Sequence, residues 1–372
     1  MDPYTFPDFS SPELLRIFFK RRELATGFIN RLKAESKAHA IYIRKKERYV
    51  LASILDHLGW KNKKIALPAF LCRVMSDTIV SSGNIPVFYD VNDDLNINPS
   101  HINEIQNRRI DAFIISEVYG IQVKVPDFIF NLKPHPILIG DFAHRDSFII
   151  EEQDHQYDIL LYSSAYYKPM KSSGMGIGLI LNKDLNLENS MNIERHLFMN
   201  MWSMIKLLLI KQVITTWIIG PIYKKTIRSR KKSTTRDIFH HQPASEMSLA
   251  QVSDNFVDRS SARSGIRSGY EKMLTNLDGV ELIGLNSPRH PTYITVKIED
   301  IDRDRIIYKM LSHGILAGRI FADPMDLPED KYPVAVNLAK KVLNLPVQFI
   351  KKSPEEIVNI LRMIINECKN DI

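Results

Sequence analysis

Six short apolar runs, separated by helical stretches, constrain this chain more than any other feature. They are Lys64–Leu67, Ile85–Asp90, Asp111–Ser116, Ile137–Gly140, Ile159–Tyr162 and Gly176–Leu181. Arg48–Leu58 reads as a helix stopped by Gly59, and residues 71–82 as another ending at Gly83. Strands spaced by helices predict an α/β domain with a mostly parallel sheet. Functional groups then belong at the carboxyl ends of the strands. The flanks differ. Residues 1–40 read as amphipathic and helical, and 247–275 as a long helix. Thr292–Lys297, Arg303–His313, Val334–Val342 and Pro354–Cys368 form a β/α mixture. A chain of 372 residues suits one large and one smaller domain. The reading is an N-terminal helical segment (1–40), a large α/β domain (41–240) and a small α+β domain (241–372).

Two polar residues stand where that sheet would end. Asp141 closes the run Pro136–Gly140, and Lys168 lies just beyond Asp158–Ser164. The lysine is followed by the glycine-rich stretch Ser172–Gly178. An amine that makes a Schiff base must be neutral when it attacks, and partial desolvation favours the neutral form. An Asp at one strand end and a Lys at another are what pyridoxal 5′-phosphate (PLP) requires. The Asp keeps the pyridine nitrogen protonated and the Lys takes the aldehyde carbon. Each residue alone also has a plainer reading. An Asp before a helix is often an N-cap, as is a Ser, and a lone Lys is often surface charge.

Composition narrows the class. Apolar residues make up 44% and charged residues 25%, ordinary for a globular protein. Cys72 and Cys368 are far apart and lack metal-ligand spacing, which points to a reducing compartment. Met1–Asp8 has neither the basic start nor the apolar run of a secretory signal, so the expected location is cytoplasmic. The net charge of +7 is concentrated in Lys224, Lys225, Arg228, Arg230, Lys231, Lys232 and Arg236. Before them lies the apolar stretch Leu197–Gly220, interrupted by Lys206 and Lys211 and therefore a poor membrane span. The whole 197–236 stretch suits a buried helix or dimer contact with a solvated loop. Alternatively it suits a peripheral membrane contact. Without interleaved aromatics the basic run does not read as a nucleic-acid site. His240 and His241 lack further ligands, so no metal is expected.

Several segments, in order, carry a resemblance. Leu67–Cys72 has a strand-ending Pro and an aromatic loop, and Gly83–Val91 fits G-x-x-P-V-F-x-D-V. Val118–Gly120 fits x-Y-G, and Asp141–His144 fits D-x-A-(Q/H). Ser163 precedes Lys168 at matching spacing, with Gly174 and Gly176 behind. Leu343–Val347 and Ser353–Glu356 fit the closing L-P-(L/V) and the helix start after it. Over roughly residues 40–365 the chain resembles the DegT/DnrJ/StrS sugar aminotransferases. The resemblance implies a fold-type I PLP-dependent transferase, with a mostly parallel seven-stranded sheet and a smaller C-terminal α+β domain. It further implies Lys168 as Schiff-base lysine and proton shuttle, Asp141 on the pyridine nitrogen, His144 on the phenolic oxygen and Ser163 on the phosphate. The implied reaction moves an amine from an amino acid donor such as glutamate to a keto sugar nucleotide, in a homodimer. Lysine at position 168 argues against the dehydrating members, which carry His there.

Departures from the pattern fall at the phosphate and ring positions. The family's small-residue turn before the first helix is Arg44–Arg48 here, with Lys46 and Glu47 in place of the small pair and Arg48 as the matching cation. The ring-stacking aromatic is replaced by Cys72, with Phe70 two residues earlier. The family's Asn-x-Arg segment is replaced by His241–Ser248. An alternative reading follows from these losses: a diverged, membrane-associated scaffold or regulator that keeps the fold.

Overall fold

The computed structural model describes residues 2–3, 10–165, 168–215, 242–254, 260–285, 287, 293–319, 327–347 and 352–370. The basic run 224–236 and the pair His240–His241 lie outside the described residues.

An eight-stranded sheet forms the centre. Its strands are β1 (Ala40–Arg44), β2 (Lys64–Pro68), β3 (Ile85–Tyr89), β4 (Ala112–Ser116), β5 (Ile137–Asp141), β6 (Ile159–Ser164), β7 (Met175–Ile180) and β8 (Ser190–Met191). The order is β3-β2-β4-β5-β6-β7-β1-β8. From β3 to β6 every pairing is parallel, whereas β7 runs antiparallel to both β6 and β1. The eighth strand is a two-residue edge piece beside β1, so the sheet is seven strands plus a short addition. Strand β1 was not legible as a strand. It follows directly on a helical segment, and its Ile-Tyr-Ile core is too short for periodicity to separate from a helix start. Ile114, Ile115, Ile139, Leu160 and Leu161 are wholly buried. Each stabilises the sheet by about 1.5–3 kcal/mol relative to exposure.

Six helices precede or alternate with these strands: α1 (Ser11–Phe19), α2 (Arg21–Ser36), α3 (Glu47–His57), α4 (Arg73–Ser81), α5 (Pro99–Gln106) and α6 (Asp127–Phe130). Helix α1 starts on a capping box between Ser10 and Glu13. Helix α7 (Leu197–Thr215) packs Met204 and Leu208 against Leu14, Ile17, Met247 and Ala250, and exposes Leu197, Phe198 and Trp202 at its start. Among the described residues no helix is long and apolar enough to cross a membrane. The expected long helix 247–275 is described as α8 (Glu246–Asp254) and α9 (Ser260–Leu274), with residues 255–259 outside the description.

A second core surrounds a three-stranded antiparallel sheet of β9 (Val280–Leu282), β10 (Ile294–Ile298) and β11 (Val342–Leu345). Helices α10 (Arg303–Ser312), α11 (Pro333–Lys341) and α12 (Pro354–Asn370) accompany it. Helix α12 begins on the reciprocal Ser353–Glu356 pair. Asp90, wholly buried after β3, accepts from the Val334 and Ala335 amides at 3.0 and 2.8 Å. It therefore caps α11 from a distant part of the chain, where a negative charge meets the helix dipole.

The glycines behind Lys168 have a packing reason. An ideal Cβ on Gly176 would lie 2.3 Å from the Glu47 amide nitrogen, and one on Gly178 would lie 2.6 Å from Val50 Cγ1. The first turns of α3 lie directly on β7 at these two residues. Replacing Gly176 with Ala should cost about 1–3 kcal/mol through backbone displacement. Urea unfolding, extrapolated to zero denaturant, should give a stability lower by that amount.

Candidate active site

The parallel register brings separate parts of the sequence to one sheet edge. Ser116 pairs with Asp141, and Ser163 and Arg44 both pair with Gly176. The carboxyl ends of β1, β4, β5 and β6 are therefore neighbours there. Residues beyond each strand enter the same region.

Asp141 is buried, and its carboxylate accepts from Ser116 Oγ at 2.8 Å and from the Ala143 amide at 3.1 Å. The turn carries His144, whose Nδ1 accepts from the Tyr119 amide at 2.9 Å. An amide proton on Nδ1 leaves the ring proton on Nε2. Tyr119 stacks on the imidazole at 6.3 Å and 20°, and Tyr293 meets it edge-on at 5.3 Å. Burial, and then the Lys168 charge, hold His144 well below the ordinary histidine range, so it is neutral. Tyr119 itself has φ 61°, the left-handed region, a cost of about 1–3 kcal/mol for a non-glycine residue. Its buried hydroxyl bonds Asn344 of β11, which ties this strained turn to the smaller sheet.

Arg145 fixes the turn from behind. It bonds both Glu117 oxygens at 2.5 and 2.7 Å and both Asp154 oxygens at 2.6 and 2.7 Å, all three residues being buried. Its guanidinium also lies over the Phe142 ring. Burial alone disfavours the Arg145 charge, and the two carboxylates more than offset it.

Lys168 is half-buried in a tight loop. Its amide donates to the Ala165 carbonyl at 3.1 Å, and the Ala165 amide donates to Met170 at 3.0 Å. The loop closes through Ser164 Oγ and Ser172 Oγ, 2.7 Å apart. The Lys168 charge acts on Glu47, Cys72 and His144, which places these groups around it. Cys72 starts α4, and burial pushes its thiol up, so it stays protonated. Phe70 is buried edge-on to Tyr119 at 6.1 Å.

Of the residues singled out from sequence, Asp141, His144, Lys168 and Cys72 thus cluster. Ser163 is half-buried opposite Gly176 at the same edge. Arg48 is half-buried, with its guanidinium 5.2 Å over the ring of its neighbour Tyr49. Sequence reasoning noted Glu47 only as a departure and gave it no role; it is buried beside Asp141 and within hydrogen-bonding reach of it. The signal was the acidic residue in place of a small one. Among the described residues there is no metal-holding group of His, Cys, Asp and Glu.

The sequence matches no protein-family profile and no curated protein. Solved structures do match. PseC of Helicobacter pylori, an aminotransferase involved in pseudoaminic acid biosynthesis, superposes with TM-score 0.72 at 13% identity, covering 98% of this chain and 99% of that one. DesI, solved with its TDP-sugar product, gives 0.70 at 15%, covering 100% and 95%. Spr1654 of Streptococcus pneumoniae, in its PLP-form, gives 0.68 at 14%, covering 100% of each chain. The fold is that of these proteins. It is the expected α/β architecture, shared over essentially the full length of each partner.

Two outcomes test the site's electrostatics. Replacing Arg145 with Met should cost about 3–5 kcal/mol, because two carboxylates stay buried without their partner; denaturant unfolding reads the loss. His144 is depressed in the fold, so between its folded value and the unfolded value of about 6.5 the unfolded chain binds more protons. Its neutral form is fully accommodated above that window, and stability falls as pH drops through it. His144→Asn should flatten this slope by up to about 1.4 kcal/mol per pH unit, measured by unfolding at a series of pH values.

Proposed function

We propose that this chain is a PLP-dependent sugar aminotransferase, passing an amino group from an amino acid donor to a keto sugar nucleotide. The convergence of Asp141, His144 and Lys168 at the carboxyl edge of the sheet carries this reading. The likeness to PseC and DesI supports the substrate class, and the PLP- and PMP-forms of Spr1654 support the cofactor.

The residues present fit the ring end of PLP. Asp141 is a buried, doubly hydrogen-bonded acceptor suited to a pyridinium proton. His144 offers an Nε2–H donor of fixed tautomer to the phenolic oxygen. Phe70 and Cys72 would pack around the ring. At the phosphate end, Ser163 supplies a hydroxyl, Arg48 a cation, and α3 a helix start without a side-chain cap at Lys46. When bound, PLP supplies an aldehyde carbon and an electron-withdrawing ring. Lys168 would be the residue that holds the aldehyde carbon, and its amine, once free, would be the base that moves a proton at the donor's α-carbon. Asp141 would accept from the ring nitrogen, and His144 would hold the phenolic oxygen. The surplus of cations, +7 overall, suits an acidic diphosphate substrate. A cytoplasmic homodimer working in polysaccharide or glycoconjugate synthesis completes the proposal.

One observation favours a second reading, a diverged scaffold at a membrane surface. Leu197, Phe198 and Trp202 are exposed at the start of α7, just ahead of the basic run in sequence. A spectrum of the purified protein with and without PLP separates the two. The enzyme reading expects a visible-edge absorbance that borohydride bleaches, with the cofactor mass fixed on the Lys168 peptide. It expects Lys168→Ala to lose that adduct and about 10²-fold or more of the transamination rate. A protein that takes up no PLP and sediments with anionic vesicles would establish the scaffold instead.

A further inference from the structure

Glu47 is the buried ionisable group that the proposed mechanism does not use. Its backbone cannot drift away from the site, because the start of α3 lies against Gly176 with no room for a methyl group. Its side chain is buried within hydrogen-bonding reach of Asp141. Two carboxyl groups that close, away from water, do not both ionise; they share one proton. Which of them holds it follows from their other partners. Asp141 accepts from Ser116 Oγ and the Ala143 amide, which suits a carboxylate. Glu47 Oε1 is buried and accepts no hydrogen bond among the described residues. Burial, and then the Asp141 charge, push Glu47 well above the usual carboxylate range, opposed in part by Lys168. These surroundings suit Glu47 as the acid of the pair and Asp141 as the acceptor.

A protonated Glu47 gives Asp141 what a pyridinium N–H gives it: one donated proton against one buried carboxylate. Resting on the PLP reading above, we propose that Glu47 is a built-in competitor for the cofactor ring, and that PLP seats fully only when the Glu47 carboxyl leaves Asp141. The groups facing Glu47 are Asp141 at the end of β5, Lys168 in the loop after β6 and the neutral thiol of Cys72 at the start of α4. Lys46 and Arg48 flank it in sequence. As pH rises through the raised Glu47 value, the O–H is lost and two carboxylates repel. The pairing lasts until pH rises through the raised Glu47 value and is lost above it. Cofactor affinity in the wild-type chain accordingly rises with pH.

The test is a PLP titration of the full chain, read by equilibrium dialysis and by the absorbance of the Lys168 adduct, at a lower and a higher pH within the range where the chain stays folded. Glu47→Ser should bind PLP about tenfold more tightly than wild type at the lower pH, with a weaker pH dependence. Glu47→Gln still donates to Asp141 but cannot ionise, so it should bind weakly at both pH values. An infrared difference spectrum on loading PLP should show a protonated carboxyl band perturbed in wild type and absent from Glu47→Gln. Equal affinities and equal pH profiles in wild type and a folded Glu47→Ser overturn the competitor role while leaving the cofactor reading intact. No PLP uptake by any of the three overturns the cofactor reading, and the competitor role with it.

Discussion

The close approach of α3 to β7 is the contact on which the arrangement of the site depends. Gly176 and Gly178 leave no side chain between the strand and the first turns of the helix. The helix start is thereby carried to the sheet edge where Asp141 and Lys168 emerge. In a close-packed interior a single methyl group is enough to prevent this. The same contact explains why Glu47, an acidic residue at a first helical position, lies beside another carboxyl. Near a helix N-terminus a negative charge is ordinarily favourable. Here burial and the Asp141 charge oppose that preference and push Glu47 well above the usual carboxylate range.

Around this contact, buried charges are placed in pairs and networks rather than singly. Arg145 spans Glu117 and Asp154, holding the loops after β4 and β5 together. Asp90 satisfies two amides at the start of α11. Tyr119 joins the His144 turn to Asn344. Such groups are costly when broken, so they set positions that apolar packing leaves loose. The strained φ of Tyr119 persists because partners on both sides over-determine it.

Much of the large sheet was legible because its parallel strands are buried on both faces and read as unbroken apolar runs ending at polar residues. Asp141 and Lys168 stood out for the same reason. Strand β1 escaped because it is short and directly follows helix. Strands β9 and β11 escaped because one is three residues long and the other continues straight from α11. Asp90 was read only as the end of a strand and part of a motif, since the amides it caps lie about 245 residues away, and Arg145 was not singled out, since one of its two carboxylate partners lies 28 residues away.

By itself the sequence determined the alternation of the central strands and helices, the sheet's polar ends and the helix start at Ser353–Glu356, because these depend on local propensity and periodicity. It also marked Glu47 as out of place. The tertiary structure alone decided what that residue does. Whether a carboxyl is a helix-capping charge or a proton donor to another carboxyl depends on burial and on a neighbour 94 residues away, and neither is encoded within one turn of helix.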